Sequence, residues 1–265
     1  PYERVPLGRT GLTLSRVGLG TGMSGLNRSS NQTRLGEEQC CALIRGCYER
    51  GIGWFDAADL YGSHRYLANA LEGADRDSYV LVSKIWFRRG GLPEAERPDA
   101  DVVIGRFLKE LRTDRIDLVL MHCITEADWP TQYSKQMEIM EGLKEKGVIR
   151  ACGVSCHSLE ALKAAAEEPW VDSIHARINP YGVQMDGPPE AVTAVLERAH
   201  ANGKGVIGMK IIGAGEFRSS DEKRNRSIDF VLNLGCVAAV TVGFESLEEE
   251  RDFAGRVRQT PVRSS

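Results

Sequence analysis

The chain has 265 residues, of which 42% are hydrophobic and 27% are charged, and its formal net charge is −3. This composition is ordinary for a globular protein, and the small negative charge argues against a nucleic-acid partner. No apolar run is long enough to cross a membrane. The seven cysteines are odd in number and lack paired CxxC spacing, which disfavours a disulfide framework or a zinc ribbon. With no signal-peptide pattern visible, we expect reduced thiols in a cytoplasmic protein.

In the opening stretch, residues 2–17, a Gly-Arg-Thr-Gly turn separates two apolar runs and predicts a β-hairpin. After it, predicted strands and helices alternate along the chain. Eight short runs that are apolar on both faces then predict strands of a parallel sheet covered by helices. The predicted strands are residues 15–20, 53–58, 79–85, 116–123, 149–156, 173–179, 205–212 and 237–244.

Amphipathic stretches between the runs predict helices. In residues 36–51, apolar side chains recur at three- and four-residue spacing, and Gly51 ends the pattern. Similar stretches cover residues 99–113, 158–169 and 188–203. Eight strand–helix pairs favour a (β/α)8 barrel over an open sheet, in a single domain over residues 1–265.

Polar side chains stand where apolar runs end. Asp56 and Tyr61 follow the second strand, Lys84 closes the third and His122 closes the fourth. Adjacent barrel strands would bring these four groups together at the carboxyl ends of the strands, where barrels carry their chemistry. We call the concave site that Asp56, Tyr61, Lys84 and His122 would form the cup. A phenol has an ordinary pKa of about 10, and a nearby ammonium lowers it. Lys84 could therefore activate Tyr61 as a proton donor while Asp56 holds Lys84 and His122 binds a substrate oxygen. Since the set has no good nucleophile, an external hydride would complement it.

The segments "GIGWFDAADLYGS", "VSKIW", "LVLMHC" and "GVSCH" resemble motifs of the aldo-keto reductases, and the similarity extends along nearly the whole chain. The resemblance implies a (β/α)8 barrel that interconverts a carbonyl compound and an alcohol with a nicotinamide cofactor and without metal. It makes Asp56, Tyr61, Lys84 and His122 the catalytic residues, with Tyr61 as the general acid and base.

The resemblance also assigns a cofactor site, which departs from the family pattern at several positions. Cys156, Arg177 and Lys210 stand where the family usually has an Asn, a Gln and an aromatic residue. An Arg can donate to a carboxamide oxygen but cannot accept from its NH₂ group. The cofactor-binding residues expected from the resemblance are Thr21, Gly22, Asp56, Ser155, Cys156, Arg177, Lys210, Gly243, Ser246, Glu249 and Arg251.

The segment after the eighth strand bears on the choice of cofactor. The family usually binds an adenosine 2′-phosphate here, and a helix start near Leu247 with Arg251 one turn further on would favour that phosphate. Carboxylates at 248–250 would repel it, although solvent screens exposed charges. We therefore expect NADP(H) ahead of NAD(H), with weak discrimination between the two.

The substrate site is less specified by the sequence. Trp86, Phe87 and Trp129 lie in loops where aromatic side chains would flank a substrate. Sugar-derived, aliphatic and aromatic carbonyl compounds all remain possible, and the oligomeric state is open. We expect a small-molecule substrate and neither a membrane nor a nucleic-acid partner.

The sequence leaves two other functional classes open. The first is a metal-dependent hydrolase or lyase on the same barrel, with ligands drawn from a set that has no HxH or paired-ligand spacing. That set is Asp59, His122, Cys156, His157 and His175. The second is a cofactor-binding regulatory subunit with little turnover, against which the intact four residues argue.

Overall fold

The protein, described by a computed structural model over residues 1–261, is a closed barrel of eight parallel strands. Strands β1 (Arg4–Pro6) and β2 (Thr13–Ser15) form the predicted antiparallel hairpin ahead of it. The barrel strands are β3 (Val17–Gly20), β4 (Trp54–Asp56), β5 (Val80–Ile85), β6 (Ile116–Ile124), β7 (Ile149–Cys156), β8 (Ser173–Arg177), β9 (Gly205–Met209) and β10 (Ala239–Val242). The predicted (β/α)8 barrel is confirmed; residues 262–265 of the predicted domain lie outside the described residues.

Helices follow each barrel strand and cover its outer face. They are α1 (Asn31–Arg34), α2 (Glu37–Glu49), α3 (His64–Ala70), α4 (Ala100–Leu111), α5 (Trp129–Gln132), α6 (Ser134–Glu145), α7 (Leu159–Glu167), α8 (Pro189–Ala201), α9 (Asp221–Leu232) and α10 (Leu247–Gln259). The short helices α1 and α5 are additions to the eight-helix pattern and lie in the loops after β3 and β6.

Several strands end earlier than predicted, and the reason is local. Strand β4 stops at Asp56 because a 3-10 turn over Asp59–Tyr61 follows almost at once. Strand β9 stops at Met209 because Lys210 has a left-handed φ of 58°, which breaks the extended conformation. Both early stops leave functional side chains in the turns above the barrel.

The hydrophobic side chains form two layers separated by the barrel wall. The outer layer packs the strands against the helices. The inner layer fills the barrel and includes Trp54, Leu118 and Ile207. The hairpin contributes Leu7 and Leu14 to this inner layer, so it plugs the amino-terminal end of the barrel. The site is therefore confined to the opposite end.

Two further features concern the whole of the described chain. Within residues 1–261, no helix combines the length and the apolar character that a bilayer crossing needs. All seven cysteines are free thiols, and five of them are buried.

Candidate active site

A buried ion pair lies at the carboxyl ends of β4 and β5. The Nζ atom of Lys84 donates to Oδ1 of Asp56 and, at 3.0 Å, to the carbonyl oxygen of Ala57. The other carboxylate oxygen of Asp56 accepts from Oγ1 of Thr241 at 3.1 Å. Burial opposes ionisation of Asp56, but the Lys84 ammonium holds the pKa of this carboxyl well below its usual value. Both groups are therefore charged and fixed in position.

Tyr61 reaches the same cup from the 3-10 turn after β4. Its hydroxyl lies 3.3 Å from Nε2 of His122, and Nζ of Lys84 lies 4.9 Å from the centroid of its ring. The ring packs against Gly22, where an added Cβ would come within 2.2 Å of it. Gly22 is thus needed to leave room for the phenol. The four predicted catalytic side chains do converge.

The electrostatics of Tyr61 differ from the sequence-based expectation. Burial, with Asp56 and Cys123 as further contributors, raises the pKa of Tyr61 well above its usual value. We expected Lys84 to lower this pKa. However, the ammonium is engaged by Asp56 and Ala57 and faces the ring rather than bonding to the hydroxyl. Tyr61 is therefore a phenol at neutral pH, the form that can donate a proton.

His122 completes the cup as a neutral imidazole. Burial and the neighbouring charge of Lys84 hold the pKa of His122 well below its usual value. Its Nδ1 atom is buried with no hydrogen-bond partner in residues 1–261, and its ring meets that of Trp86 edge-on at 5.6 Å. A neutral ring here can donate to or accept from a substrate oxygen, depending on its tautomer.

Asp59, which the sequence presented only as a possible metal ligand, instead fastens the turn that carries Tyr61. It is 3% exposed, and its two oxygens accept from Nε of Arg28 at 2.9 Å and from Nη2 of Arg106 at 2.6 Å. Arg106 also bonds to Glu110 at 2.8 Å on the same helix, α4. The sequence shows this residue only as the second acid of "DAADLY", and nothing in the local pattern indicates its two arginine partners.

The ends of β7 to β9 carry the residues expected beside a nicotinamide. Ser155 is on the inner face, and its hydroxyl is buried without a partner in the described chain. Arg177 is ion-paired with Asp186, with Nε 3.1 Å from Oδ2, and donates to the carbonyl oxygen of His157 at 3.3 Å. Lys210 lines the cleft described below. Ser155 thus has free hydrogen-bonding capacity, whereas Arg177 is largely engaged.

Two predicted contacts are wrong because their side chains point away from the cup. Cys156 follows Ser155 in the same strand, so it faces outward, and it is fully buried in the outer core. Trp129 begins α5 instead of lying in a loop; it is fully buried, and its Nε1 donates to Ala161 O at 3.4 Å. Neither can contact a ligand in the cup.

The other two aromatic residues remain near the cup. Trp86 is half-buried against His122, and its Nε1 donates to the carbonyl oxygen of Gly90 at 2.7 Å. Phe87 is half-buried and stacks on Tyr133 with ring centroids 5.6 Å apart. Trp86 is therefore the aromatic side chain that adjoins the predicted catalytic residues.

A cleft of about 1010 Å³ leads from the cup to the start of α10. Asp56, Tyr61 and Lys84 line one end of it. Gly22 and Gly243 form part of its wall, and an added Cβ at Gly243 would come within 2.3 Å of Met23. The volume of the cleft, and a lining that runs from Tyr61 to the start of α10, suit an extended ligand.

The far end of the cleft is formed by the amino terminus of α10. The Ser246 hydroxyl caps this helix by accepting from the Glu249 amide at 3.2 Å, and the Glu249 carboxylate accepts from the Glu245 amide at 2.8 Å. These two predicted cofactor residues line the cleft, but their side chains already have backbone partners. Glu248 and Asp252 add two more carboxylates to the lining.

Two further predicted cofactor residues do not line the cleft. Arg251 is exposed, and the cations that line the cleft besides Lys84 and Lys210 are Arg218 and Arg224. Arg224 is ion-paired with Asp252 at 2.9 Å. Thr21 is fully buried, and its hydroxyl donates to Asp56 O at 2.9 Å, so it holds the end of β4. These predictions relied on position in the sequence, which does not determine where a side chain points.

The residues of the metal alternative do not form a ligand set. His175 is fully buried inside the barrel, where its Nε2 lies 3.6 Å from Asp56, and Cys156 faces the opposite side of the wall. In residues 1–261, no group of three or more His, Cys, Asp or Glu side chains is arranged to hold a metal ion.

Comparison with known proteins relates this geometry to a family. A sequence profile of the Aldo/keto reductase family matches residues 16–252. The NADH-specific methylglyoxal reductase of Escherichia coli is 27% identical over 66% of this chain and 58% of its own length. An aldo-keto reductase of Bacillus subtilis is 31% identical over 60% of this chain and 49% of its own length. The chain thus spans about half the length of these curated relatives.

Solved structures share the whole fold. A crystal structure assigned as an aldo-keto reductase from Pseudomonas aeruginosa superposes with a TM-score of 0.78 at 26% identity, covering 97% of this chain and 95% of that one. An aldo/keto reductase from Klebsiella pneumoniae, solved with NADP and acetate, superposes with a TM-score of 0.71 at 22% identity, covering 99% of this chain and 92% of that one. The second likeness concerns the fold alone.

Proposed function

Because the chain belongs to the Aldo/keto reductase family, we propose that it interconverts a carbonyl compound and an alcohol with a nicotinamide cofactor. The observation that carries this proposal is the convergence of a phenol, a neutral imidazole and a buried Lys–Asp pair at one end of a long cleft. Metal-dependent hydrolysis receives no comparable support from the described residues.

Each residue of the cup has a distinct part in this proposal. In the reductive direction, Tyr61 gives its hydroxyl proton to the carbonyl oxygen, and in the oxidative direction the phenolate takes it back. His122 bonds to the same oxygen and orients it. Lys84, held by Asp56, places a positive charge under the phenol ring and favours the phenolate that forms during the reaction.

The residues present fit a nicotinamide dinucleotide. The unpartnered hydroxyl of Ser155, on the inner face of the barrel wall, can bond to a carboxamide. Gly22 and Gly243 let the side chains of Tyr61 and Met23 pack close to the wall of the cleft. Lys210 lines the same cleft next to Tyr61. When bound, such a cofactor supplies or accepts the hydride. Arg177, whose Nη1 group is not used by Asp186 or by the carbonyl oxygen of His157, would donate to the carboxamide oxygen.

We further propose that NAD(H) is used in preference to NADP(H). The carboxylates of Glu248, Glu249 and Asp252 line the adenosine end of the cleft, whereas Arg251, which had favoured a phosphate, is outside it. Hydrogen bonds from Arg256 lower the pKa of Asp252, so this group is anionic at neutral pH. A 2′-phosphate carries almost two negative charges and would be repelled. The name of the Escherichia coli relative, an NADH-specific reductase, agrees with this choice.

The test of the proposed function is a direct assay of the purified chain. Loss of NADH absorbance is followed with a panel of aldehydes and ketones, before and after dialysis against a metal chelator. We expect turnover that survives the chelator. Stoichiometric bound metal without cofactor binding or NADH oxidation would favour the hydrolase or lyase class, and cofactor binding without turnover would favour a regulatory subunit.

A further inference from the structure

A group of cations surrounds the wall of the cup on the side of β6 and β7. Here Sγ of Cys123 lies 3.4 Å from Nε2 of His157, and both groups are neutral because burial raises the pKa of Cys123 to about 11 and lowers that of His157 to about 3. The charges that act on both groups are those of Lys84, Arg88, Arg177 and Lys210.

Only part of this positive charge is balanced inside the protein. Lys84 is paired with Asp56, and Arg177 is paired with Asp186. For the chain up to residue 261, no carboxylate lies within 4 Å of Arg88.

Lys210 likewise has no carboxylate within 4 Å in the described part of the chain, and its side chain lines the cleft beside Tyr61. Glu126, in the loop after β6, is exposed, and its carboxylate accepts from Oγ1 of Thr125 at 2.7 Å. Within residues 1–261, Arg88 and Lys210 therefore add positive charge to the cup without an ion-pair partner, and the exposed Glu126 acts on Arg88 only from a distance.

Arg88 is held at the rim of the cup on the side of Trp86. Its Nη1 donates to the carbonyl oxygen of Cys123 at 3.1 Å, and its guanidinium lies 5.8 Å from the Trp86 ring centroid. A half-buried guanidinium engaged by one carbonyl oxygen has several N–H groups left for an incoming anion.

The loop that carries Arg88 is fixed by a second arginine. Arg97 donates to the carbonyl oxygens of Arg88 at 2.7 Å, Gly90 at 2.7 Å and Glu94 at 2.6 Å. Trp86 donates to the same Gly90 oxygen. Because the loop is bonded to itself in this way, binding an anion at Arg88 would need little ordering of the backbone.

Resting on the proposed function, we propose that the substrate is a carbonyl compound with an anionic group, a carboxylate or a phosphate, which Arg88 binds at the rim while the carbonyl lies at Tyr61. A guanidinium is suited to this because its fork can bond to two oxygens of such a group at once. Lys210 adds a second positive charge that favours an anion in the cup.

The test compares matched pairs of aldehydes that differ in one charge. The carboxylate pair is 4-carboxybenzaldehyde and 4-formylbenzamide, and the phosphate pair is glyceraldehyde 3-phosphate and glyceraldehyde. We expect kcat/KM to favour the anion of at least one pair about tenfold, through KM, and the pair that shows it identifies the anionic group. The preference should fall as salt is added, because Arg88 is only half-buried.

Variants assign the preference to Arg88. Arg88→Gln should reduce the ratio to about one, and Arg88→Lys should retain part of it. Arg89→Gln, at the exposed neighbouring position, is the control and should leave both the ratio and the melting temperature unchanged. Equal kcat/KM values in both pairs, or an equal loss of preference in Arg89→Gln, would overturn the proposal.

A binding measurement separates this inference from the proposed function. Benzoate should quench tryptophan fluorescence through Trp86, and benzamide should not; Arg88→Gln should abolish the difference and Arg89→Gln should preserve it. Reduction of neutral aldehydes with equal binding of benzoate and benzamide would remove the anion subsite and leave the proposed function intact. Benzoate-specific binding with no turnover of any aldehyde would remove the proposed function and leave the anion site.

Discussion

The two ends of the cleft hold their charges in different ways. At the Tyr61 end, the groups that pair, Lys84 and Asp56, stand on adjacent strands and are almost fully buried. At the α10 end, the carboxylates of Glu248 and Glu249 stand on the first turn of a helix, and water reaches them. The first arrangement is fixed by the barrel wall, whereas the second depends on one helix terminus.

Because of this difference, we expect the Tyr61 end to control the reaction rate and the α10 end to control the choice of cofactor. Proton transfer needs a phenol and a carbonyl oxygen within hydrogen-bond distance, which strand ends can guarantee. Discrimination between a ribose 2′-hydroxyl and a 2′-phosphate depends mainly on the local charge, and solvent screens each contribution. We therefore expect substitutions at the Tyr61 end to change rates by orders of magnitude, and substitutions at the α10 end to change cofactor preference modestly.

The largest effect is expected from Tyr61→Phe, which removes the proton donor and keeps the ring. The value of kcat/KM for aldehyde reduction should fall about a thousandfold, within the range typical of general acid catalysis. Tyr66→Phe is the matched control, since the Tyr66 hydroxyl only accepts from Arg65 at 2.8 Å. If Tyr61→Phe retains more than a tenth of the activity while Tyr66→Phe is normal, Tyr61 is not the donor.

The next effect is a pH dependence that differs between the two directions. Because burial raises the pKa of Tyr61, the phenol predominates at neutral pH and the phenolate is scarce. Alcohol oxidation needs the phenolate, so its rate should rise about tenfold per pH unit, or about a hundredfold from pH 6 to 8. Aldehyde reduction should be nearly flat over the same range. A rate that changes through a single acidic titration in both directions would point to His122, whose pKa is lowered by burial, as the titrating group instead.

A smaller effect is expected from loosening the turn that carries Tyr61. Asp59→Asn leaves Arg28 and Arg106 without their shared carboxylate, and should lower the free energy of unfolding by about 2 kcal/mol. It should lower kcat about tenfold with little change in KM, because the phenol is less well placed.

The control for this prediction is another aspartate paired with an arginine. Asp77→Asn breaks an ion pair with Arg115, but Asp77 is 81% exposed, so the free energy of unfolding should change by less than about 0.5 kcal/mol. Urea unfolding and steady-state kinetics of both variants decide the matter. An Asp59→Asn protein that is less stable but has a normal kcat would limit Asp59 to a structural role.

The existence of each barrel strand and the polar residues near its carboxyl end could be predicted from the sequence, because an apolar run followed by a polar residue marks the edge of a parallel sheet; the exact last residue of several strands could not. Lys84 and His122 were located in this way. The direction of neighbouring side chains was less well predicted: Ser155 and Cys156 are adjacent in β7, so only one of them can face inward. Applying that alternation would have excluded Cys156 from the site.

The predictions for Trp129 and Arg251 are wrong because the sequence does not show where a short helix begins or how a helix is rotated. The sequence places Trp129 in a loop, but a one-turn helix begins there and buries its ring. Arg251 was placed at the cofactor because of its distance along the chain, yet the rotation of α10 turns it to solvent. Arg224, on the preceding helix, lines the cleft instead. Helix rotation and packing depend on tertiary contacts, which the local sequence pattern does not contain.

The smallest effect concerns the α10 end. The wild-type chain should favour NADH over NADPH about tenfold in kcat/KM, because the carboxylates outnumber the cations and Arg224 is already paired with Asp252. The double variant Glu248→Gln/Glu249→Gln removes one exposed and one half-buried charge, each worth about 0.5 kcal/mol. Their sum of about 1 kcal/mol corresponds to a five- to sixfold gain for NADPH relative to NADH.

Glu197→Gln, on the exposed face of α8, controls for net charge and should leave the ratio unchanged. The gain should shrink in high salt because both sites are open to solvent. A wild-type preference for NADPH, or a ratio that the double variant does not move, would mean that a cation holds the 2′-phosphate, and Arg224 would then be the first residue to substitute.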